Sequence, residues 1–415
     1  MRQENECFEW VLIYPYELHA ISVRIVEGNK KRTIMEQIVV RERSPMKASV
    51  KPLSNIILRD GGVLVHVCKF VLTANTVTYA TVGRVMLNTF EHFPYEDKEF
   101  ASSPAWGYGV IVASRSPFVP VGARIHGYFP MRGYTVLTPT KVKRGQFEDS
   151  APHRQQLIPA YRTYRVGAPY SVENEDQEDL LNADGLLFST GWGCAIQGKL
   201  KGAESVLFTS ASSRTSLCAA FSAKFGKMCK CIIGVTSRRN LHFVRGTGLY
   251  DVVVSYEDIF TIDKRGVGSI AIYDMAGNAS ANMAIRQHFG GQILDWGKVG
   301  QTHVSVKHSF PTTPKDGMAK FGGAPVEGFL VFIALANASK ELGATAVQKM
   351  LSEAQAKYVS WKLPSFRAER VYGAKATLAI WNKTVENAIE PGTTYVCSMW
   401  PSKSKSEPFA RSASL

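Results

Sequence analysis

The chain has 415 residues, of which 45% are hydrophobic and 20% are charged, and its formal net charge is +14. This length exceeds what one hydrophobic core usually supports, so two domains are expected. The longest apolar run, residues 329–336, falls short of the roughly eighteen residues that cross a bilayer, so no membrane partner is expected. Seven scattered cysteines favour free thiols in a reducing compartment, which makes the cytoplasm the expected location.

The positive charge admits two interpretations. Basic proteins gain affinity for nucleic acids by neutralising phosphates. Here the basic residues are dispersed, with small clusters at residues 30–32 and 141–144 and at Lys403 and Lys405, and no aromatic-interleaved basic motif accompanies them. The pattern therefore indicates a solvated basic surface rather than a nucleic-acid partner, and it would also suit a small ligand that carries phosphate.

The first 150 residues are predicted to be rich in β-structure. Branched and alternating apolar runs, separated by Gly, Pro and Ser turns, predict short strands of the kind that form a barrel-like domain. These strands are residues 21–26, 62–71, 107–112, 123–129 and 134–137. A loop-rich passage is expected at residues 144–184, and its acidic stretch, residues 173–179, is interpreted as a solvated loop or the start of a helix.

From residue 186 the pattern changes to alternating strands and helices, which predicts a doubly wound parallel sheet. The predicted strands are residues 206–210, 231–235, 251–254, 269–273 and 292–296. A helix at residues 214–225 is predicted to follow the first of them. Further along, the pattern predicts a helix at residues 344–357, a strand and a helix within residues 371–389, and a last strand at residues 394–399.

A turn of small residues joins the first of these strands to its helix. Its residues are Ser210, Ala211, Ser212, Ser213, Arg214 and Thr215. Dinucleotide-binding folds place a glycine-rich turn at this position, because small side chains let the backbone approach a pyrophosphate and the helix N-terminus offers N–H groups to it. Serine hydroxyls can donate to phosphate, but they also cap helices, so the turn alone is equally consistent with an ordinary cap.

The end of the second strand narrows the choice of ligand. Its residues are Thr236, Ser237, Arg238, Arg239 and Asn240. Folds that prefer NAD place Asp or Glu at this point to bind the ribose 2′-hydroxyl, and this strand has no acid. Two guanidinium groups suit a 2′-phosphate, although an ordinary basic loop is the alternative. The turn and the strand end together predict an NADPH site.

Several phrases in a fixed order also resemble a known superfamily. Residues 122–127, 210–215, 236–240, 254–256 and 274–277 resemble the quinone oxidoreductase and enoyl reductase branch of the medium-chain dehydrogenases/reductases. A closer similarity, to an uncharacterised family within that superfamily, covers approximately residues 56–399. The phrases that carry it are residues 72–80, 127–131, 150–154 and 299–303.

The resemblance implies an α/β protein with a GroES-like β-barrel substrate domain and an inserted doubly wound Rossmann domain. The expected boundaries are residues 1–185 for the first part of the substrate domain, 186–343 for the nucleotide domain and 344–400 for the return to the substrate domain. Residues 401–415, rich in Ser and Lys, are expected to be a disordered tail.

The resemblance also implies a cofactor and a reaction. Relatives hold the 2′-phosphate with a tyrosine after the third strand of the nucleotide domain, and Tyr256 stands at that position. Val299 and Gly300 would lie beside the nicotinamide. Such enzymes pass a hydride from NADPH to a C=C bond conjugated to a carbonyl, and they often pair as homodimers through the nucleotide domain.

Two departures from the superfamily are informative. The spacing of Cys229 and Cys231 does not suit a structural zinc site, and no cluster of four closely spaced cysteines exists, so no metal is expected. The acid that quinone reductases carry in the phrase 72–80 is replaced by Thr78, so the resemblance does not imply their substrate geometry for this chain.

Without a metal, hydrogen-bond donors must polarise the substrate carbonyl and a proton must reach the product. Asn75 and Tyr79 follow an apolar strand, one helical turn or one strand repeat apart, and are candidates for these roles; a backbone-bridging Asn and a core Tyr are the alternatives. His303, after the nicotinamide loop, is a third candidate, since imidazole titrates near neutral pH, although a structural loop residue is the alternative.

The sequence thus predicts a zinc-independent, NADPH-dependent reductase of an activated alkene or quinone, with a small-molecule substrate as its partner. Two other functions stay open at this point. One is a protein that binds or senses NADPH without turning it over, and the other is a lyase or decarboxylase on the same fold, because a fold does not determine a reaction.

Overall fold

The computed structural model describes residues 20–23, 35–53, 56–86, 88–167, 175–275, 277–300, 324 and 326–407. The chain folds into two compact units. The first contains the described residues up to Asn182, the segment Ala368–Ile389 and the residues from Thr394 onward. The second contains Ala183–Arg367 and the short segment Glu390–Thr393.

Both units contain β-strands. In chain order these strands are β1 (Ala20–Val23), β2 (Glu36–Arg41), β3 (Ser44–Pro52), β4 (Ile56–Arg59), β5 (Val63–Leu72), β6 (Phe100–Ala101), β7 (Ala105–Ser114), β8 (Arg124–Phe129), β9 (Tyr134–Leu137), β10 (Gln146–Glu148), β11 (Thr163–Gly167), β12 (Ser205–Thr209), β13 (Cys231–Thr236), β14 (Val252–Ser255), β15 (Ile270–Asp274), β16 (Ile293–Lys298), β17 (Glu327–Gly328), β18 (Arg367–Tyr372) and β19 (Thr393–Ser398).

The helices connect and cover these strands. They are α1 (Ala74–Met86), α2 (Pro159–Arg162), α3 (Glu175–Leu200), α4 (Arg214–Phe225), α5 (Leu241–Gly246), α6 (Ala279–Phe289), α7 (Val331–Leu342), α8 (Ala344–Lys362), α9 (Ala374–Val385) and α10 (Lys403–Ser406).

The main sheet of the first unit has the order β10-β11-β8-β7-β5-β19-β18, with β9 also paired to β5. Strand β5 is buried along its whole length, which explains why it reads as a nearly continuous apolar run. Strand β19, from the far end of the chain, pairs antiparallel with β5 and brings Val396 opposite Val71. The core of this unit is therefore completed by a strand more than 300 residues away in sequence.

The second unit is built on a parallel sheet with the order β14-β13-β12-β15-β16-β17. With the strands numbered within the unit, this sheet has the order 3-2-1-4-5-6 of a doubly wound dinucleotide fold. The order of the strands changes direction between β12 and β15, while the strands stay parallel. The five predicted strands correspond to β12 to β16, and the predicted helix at residues 214–225 is α4. The core lies around buried Leu207, Ile233 and Ile272.

Of the two interpretations of the acidic stretch, the start of a helix is correct for residues 175–179, and the side chains range from exposed Asp176 to buried Asp179. These residues form the first turns of α3, a 26-residue helix, and Asp179 is completely buried. Lys69, which projects from the buried strand β5, lies 2.5 Å from Asp179 Oδ1 and 2.7 Å from Glu178 Oε1. A buried ammonium requires such partners, so these acids are drawn into the core rather than left in water.

The second unit ends later than the sequence indicates. Helix α8, which the sequence places in the returning substrate domain, belongs to the second unit. The hydroxyl of Tyr358 on α8 donates to Asp184 Oδ2 at 2.7 Å, and its ring packs against Phe188 and Phe221. The return to the first unit therefore comes at residue 368, because α8 buries its aromatic face against α3 and α4.

The expected disordered tail is ordered at its start. Residues 403–406 form the short helix α10, and Ser406 and Glu407 are buried. Glu407 lies 3.4 Å from the guanidinium of Arg124, and His66 Nε2 is 3.2 Å from the carbonyl of Ser406. Residues 408–415 lie outside the described residues. The Ser and Lys composition does not reveal this order because the contacts come from distant strands.

Candidate nucleotide-binding site and candidate catalytic pair

The turn between β12 and α4 closes tightly. Ser210 adopts a left-handed conformation with a φ of 47°, a region that favours glycine. The N–H of Ser213 donates to the carbonyl of Ser210 at 2.7 Å. Ser213 is also the N-cap of α4, since its Oγ accepts from the N–H of Ser216 at 3.3 Å. The interpretation of Ser213 as a helix cap is therefore correct. The N-terminus of α4 directly follows the same turn.

Ala211 fixes this turn against the second strand. It is completely buried, and its N–H donates to the carbonyl of Val235 at 3.0 Å. Tyr250 donates its hydroxyl to the Ala211 carbonyl at 2.8 Å. A Cβ on Gly234 would lie 2.8 Å from the Tyr250 ring and 3.0 Å from the Ala211 side chain. The close approach of turn and strand thus depends on small residues on both sides.

The remaining turn residues differ in what their side chains do. Ser212 and Thr215 are half-buried, and Ser212 Oγ accepts from Asn240 Nδ2 at 2.9 Å. Arg214 is paired with Asp184, at 2.8 Å, and donates to the carbonyl of Thr393 at 2.9 Å. The Arg214 guanidinium therefore holds the start of α4 in place, and its predicted cofactor contact stays a prediction.

The end of β13 lies beside this turn. Thr236 is buried, and Arg238 and Arg239 are exposed. Arg238 makes loose ion pairs with Glu257, at 3.4 Å, and Asp258, at 3.5 Å. The hydroxyl oxygen of Ser237 is buried and has no hydrogen-bond partner among the described residues, an arrangement that is costly unless a ligand supplies one.

Tyr256, after β14, reaches the same turn. Its hydroxyl oxygen accepts from the N–H of Ser210 at 3.2 Å. Burial raises the pKa of Tyr256 to about 12, so the phenol stays protonated at neutral pH. The hydroxyl can therefore donate its proton to an anion while its oxygen holds the turn.

The loop after β16 closes the same edge of the sheet. The N–H groups of Val299 and Gly300 donate to the carbonyl of Asp274, at 2.8 and 3.2 Å. A Cβ on Gly300 would lie 2.9 Å from the carbonyl of Met275. Glycine is therefore required for the close approach of this loop to the end of β15.

Sequence reasoning missed one residue at this edge, Asp274. Its carboxylate is 1% exposed and accepts hydrogen bonds from Thr209, Gly277 and Asn282. The available signal was an acid directly after the predicted apolar strand at residues 269–273, since a buried carboxylate needs hydrogen-bond donors around it.

Asn75 and Tyr79 lie one turn apart on α1, which settles the choice between helix and strand. Asn75 Nδ2 donates to the Tyr79 hydroxyl at 2.6 Å. Tyr79 is 3% exposed, and its ring packs edge-to-face against Tyr128 and Tyr161. Burial raises the pKa of the Tyr79 phenol well above its usual value, so the group is a neutral hydrogen-bond donor.

His303 lies outside the described residues. Within the part of the chain that the structure describes, no group of three or more His, Cys, Asp or Glu side chains is placed to hold a metal ion. In that same part, no helix combines the length and apolar character that crossing a membrane requires.

Solved structures resemble the chain over most of its length. CurA from Vibrio vulnificus in complex with NADPH is 14% identical, with a TM-score of 0.52 over 88% of this chain and 98% of that chain. Mycobacterial Rv1454c complexed with NADPH is 14% identical, with a TM-score of 0.54 over 88% and 99%. A mutant form of enoyl thioester reductase from Candida tropicalis is 12% identical, with a TM-score of 0.52 over 88% and 99%.

These likenesses show the fold class alone, which is a GroES-like barrel domain with a doubly wound Rossmann domain. Comparison with curated proteins finds no match. A family profile described as "Protein of unknown function (DUF2855)" matches residues 70–390, which is more than half of the chain. The chain therefore belongs to the DUF2855 family, as the resemblance to an uncharacterised family implied.

Proposed function

We propose that the second unit binds NADPH along the carboxyl edge of its parallel sheet. The N-terminus of α4 and the turn at Ser210 to Thr215 would hold the pyrophosphate. The 2′-phosphate would lie among Ser237, Arg238, Arg239 and Asn240, with the Tyr256 hydroxyl as a further donor. Val299 and Gly300 would flank the nicotinamide. The NADPH in two of the similar solved structures supports the same choice of cofactor.

One observation carries this proposal. The end of β13 has no acid between residues 235 and 240, and Asn240 connects it to the phosphate turn through Ser212. At this point the buried hydroxyl of Ser237 has no hydrogen-bond partner within the described parts of the chain, and a phosphate oxygen would supply one. The residues present therefore fit a 2′-phosphate better than a free ribose hydroxyl.

For the reaction, we propose zinc-independent reduction of a C=C bond conjugated to a carbonyl, as in an enone, an enoyl group or a quinone. Bound NADPH supplies a hydride to such substrates. The protein would polarise the carbonyl through hydrogen-bond donors and supply a proton, and the neutral, Asn75-bound hydroxyl of Tyr79 suits that role. The enoyl thioester reductase among the structural relatives is in keeping with this class of substrate.

The binding proposal is tested by calorimetric titration of the whole protein with NADPH and with NADH. We expect NADPH to bind at least about tenfold more tightly, since a guanidinium and a phosphate form strong paired hydrogen bonds. Arg239→Ala should remove most of this preference. Arg265→Ala, an exposed arginine paired with Asp263 elsewhere in the unit, is the matched control and should bind like the unchanged protein. Binding of neither cofactor would exclude the oxidoreductase.

The reaction proposal is tested by following the absorbance of NADPH in the presence of enones, enoyl thioesters and quinones. Consumption of NADPH in proportion to added substrate supports a reductase. Tight binding without any consumption would instead identify a protein that senses NADPH.

The resemblance also implies a homodimer, and sedimentation of the purified protein tests that part of the proposal.

A further inference from the structure

Asp274 is the last residue of β15. This strand lies next to β12, at the point where the order of the strands changes direction. Ligands of doubly wound sheets bind outside the carboxyl ends of the strands at this reversal. Thr209, the last residue of β12, lies beside Asp274 and directly precedes the turn that begins at Ser210. Asp274 is thus next to the turn proposed to hold the pyrophosphate and to the loop proposed to flank the nicotinamide.

The carboxylate of Asp274 is satisfied entirely within the protein. Its Oδ1 accepts from the hydroxyl of Thr209 at 2.7 Å and from the N–H of Gly277 at 3.0 Å, and its Oδ2 accepts from Asn282 Nδ2 at 2.6 Å. The Thr209 oxygen accepts in turn from the N–H of Met275 at 2.9 Å. These bonds join the end of β12, the loop after β15 and the first turn of α6.

The backbone of the same residue holds the other segment. The carbonyl of Asp274 accepts from the N–H groups of Val299 and Gly300, at 2.8 and 3.2 Å. One residue therefore contacts the base of the phosphate turn through its side chain and the loop after β16 through its main chain. Movement of either segment would have to break a hydrogen bond to Asp274.

We propose that Asp274 is a positioning residue that keeps the phosphate turn and the Val299–Gly300 loop at the spacing required by the cofactor. This inference rests on the proposed function, because the two segments need a fixed spacing only if one ligand contacts both. Asp274 acts through Thr209 and through the loop, since its side-chain oxygens are engaged by protein donors.

The conservative variant Asp274→Asn removes the charge of the side chain and keeps its shape, so it separates the effect of geometry from the effect of charge. In Asp274→Asn the side-chain oxygen can still accept from Thr209 and Gly277, and the new amide would face Asn282. The Oδ1 atom of Asn282 is buried without a hydrogen-bond partner among the described residues, so rotation of the Asn282 amide lets it accept from the new NH₂ group. Asp274→Ala, in contrast, removes every side-chain bond.

The test compares two probes of different length, NADPH and adenosine 2′,5′-bisphosphate. The bisphosphate would contact only the turn and the end of β13, whereas NADPH would also reach the Val299–Gly300 loop. For Asp274→Ala we expect NADPH to bind at least about tenfold more weakly and the bisphosphate to lose no more than about threefold. The blue-shifted, enhanced fluorescence of bound reduced nicotinamide should decrease at saturating NADPH. Asp274→Asn should restore both readouts.

Asp295→Ala is the matched control, because its carboxylate accepts from Gln197 at 2.7 Å and Tyr273 at 3.0 Å in the same unit, without contacting either segment. It should bind both probes like the unchanged protein. Equal loss of both probes in Asp274→Ala, or an equal effect of Asp295→Ala, would overturn the positioning role while leaving cofactor binding intact. If the unchanged protein binds neither probe, the proposed function fails, and the inference fails with it.

Discussion

The hydrogen bond between Asn75 and Tyr79 shows how one helical turn can prepare a donor. Asn75 donates to the phenol oxygen at 2.6 Å, and the buried phenol keeps its proton because burial raises its pKa. The hydroxyl hydrogen is then directed away from Asn75, since the oxygen already accepts from the amide. A group of this kind can donate a hydrogen bond without first exchanging a proton with water.

Removing this hydroxyl tests its role. We expect Tyr79→Phe to lower kcat by about 10²-fold, in the range of general acid contributions, with the Kd for NADPH unchanged. Steady-state kinetics and calorimetry measure the two quantities. Tyr95→Phe, a half-buried tyrosine of the same unit, is the control and should keep full activity. An unchanged kcat in Tyr79→Phe would assign the residue to the core.

The same scale shows why some candidate residues were uncertain from sequence. Arg214 reads as a phosphate ligand because of its place in the turn, yet its guanidinium pairs with Asp184 and the carbonyl of Thr393. Both partners are distant in the chain, so no local pattern reveals them. Ser213, whose cap partner is three residues away, was interpretable from sequence alone.

At the scale of the element, the start of α3 is held by a buried network of ion pairs. Arg124 makes two hydrogen bonds to Glu178, which also contacts Lys69, and Arg370 contacts Asp179 and Asp176. Burial by itself would raise the pKa of Glu178, but the hydrogen bond from Arg124 and the charge of Lys69 outweigh it and lower that pKa. The ionised carboxylate is therefore the form that the folded protein stabilises.

The lowered pKa makes the stability of the first unit depend on pH. A group whose folded pKa is depressed stabilises the protein above its unfolded pKa of about 4.3, and this contribution is lost as the pH falls through the folded value. We expect Glu178→Gln to lower the free energy of unfolding by about 3 kcal/mol at pH 7 and to flatten its fall below about pH 4.3. Urea unfolding at several pH values measures both effects.

The control for this prediction is Glu99→Gln, which removes an exposed ion pair with Arg41. Surface pairs contribute between about 0 and 1 kcal/mol, so this variant should unfold at nearly the same urea concentration at every pH. Equal effects of the two substitutions would show that the α3 network contributes no more than a surface pair.

At the scale of the whole molecule, the two units differ in how the chain supplies them. All six strands of the parallel sheet come from one continuous segment, whereas the main sheet of the first unit places β19 between β5 and β18. The indole of Trp381, on α9, is completely buried and donates to the carbonyl of Pro45 at 2.9 Å. The first unit therefore needs both ends of the chain.

This difference predicts unequal behaviour of fragments. A fragment of residues 183–367 should fold cooperatively and bind NADPH, with some loss of stability because Arg214 loses the Thr393 carbonyl. A fragment of residues 1–182 should not fold, because the buried residues Phe70, Val71 and Leu72 of β5 would lose their partner strand β19. Circular dichroism during urea unfolding distinguishes the outcomes, with the full chain as reference. Cooperative unfolding of the second fragment would contradict this account.

The sequence by itself determined the class of the fold and most of the second unit. Strands of a parallel sheet are continuous apolar runs with local turn signals, so five of them and α4 were predictable within a few residues. The turn at residues 210–215 and the acid-free strand end were also readable, because each is a pattern of neighbouring residues. Their role in binding NADPH stays a prediction until the titration is made.

Tertiary structure decided what depends on partners far apart in the chain. Glu178 and Asp179 at the start of α3 are largely buried because Lys69 pairs with both of them and Arg124 pairs with Glu178. Helix α8 belongs to the second unit because Tyr358 donates a hydrogen bond to Asp184. The start of the tail is ordered because Glu407 pairs with Arg124. In each case a buried polar group needs a hydrogen-bond or ion-pair partner. That partner is distant in the chain, so the residues around the buried group do not reveal the pairing or its contribution to stability.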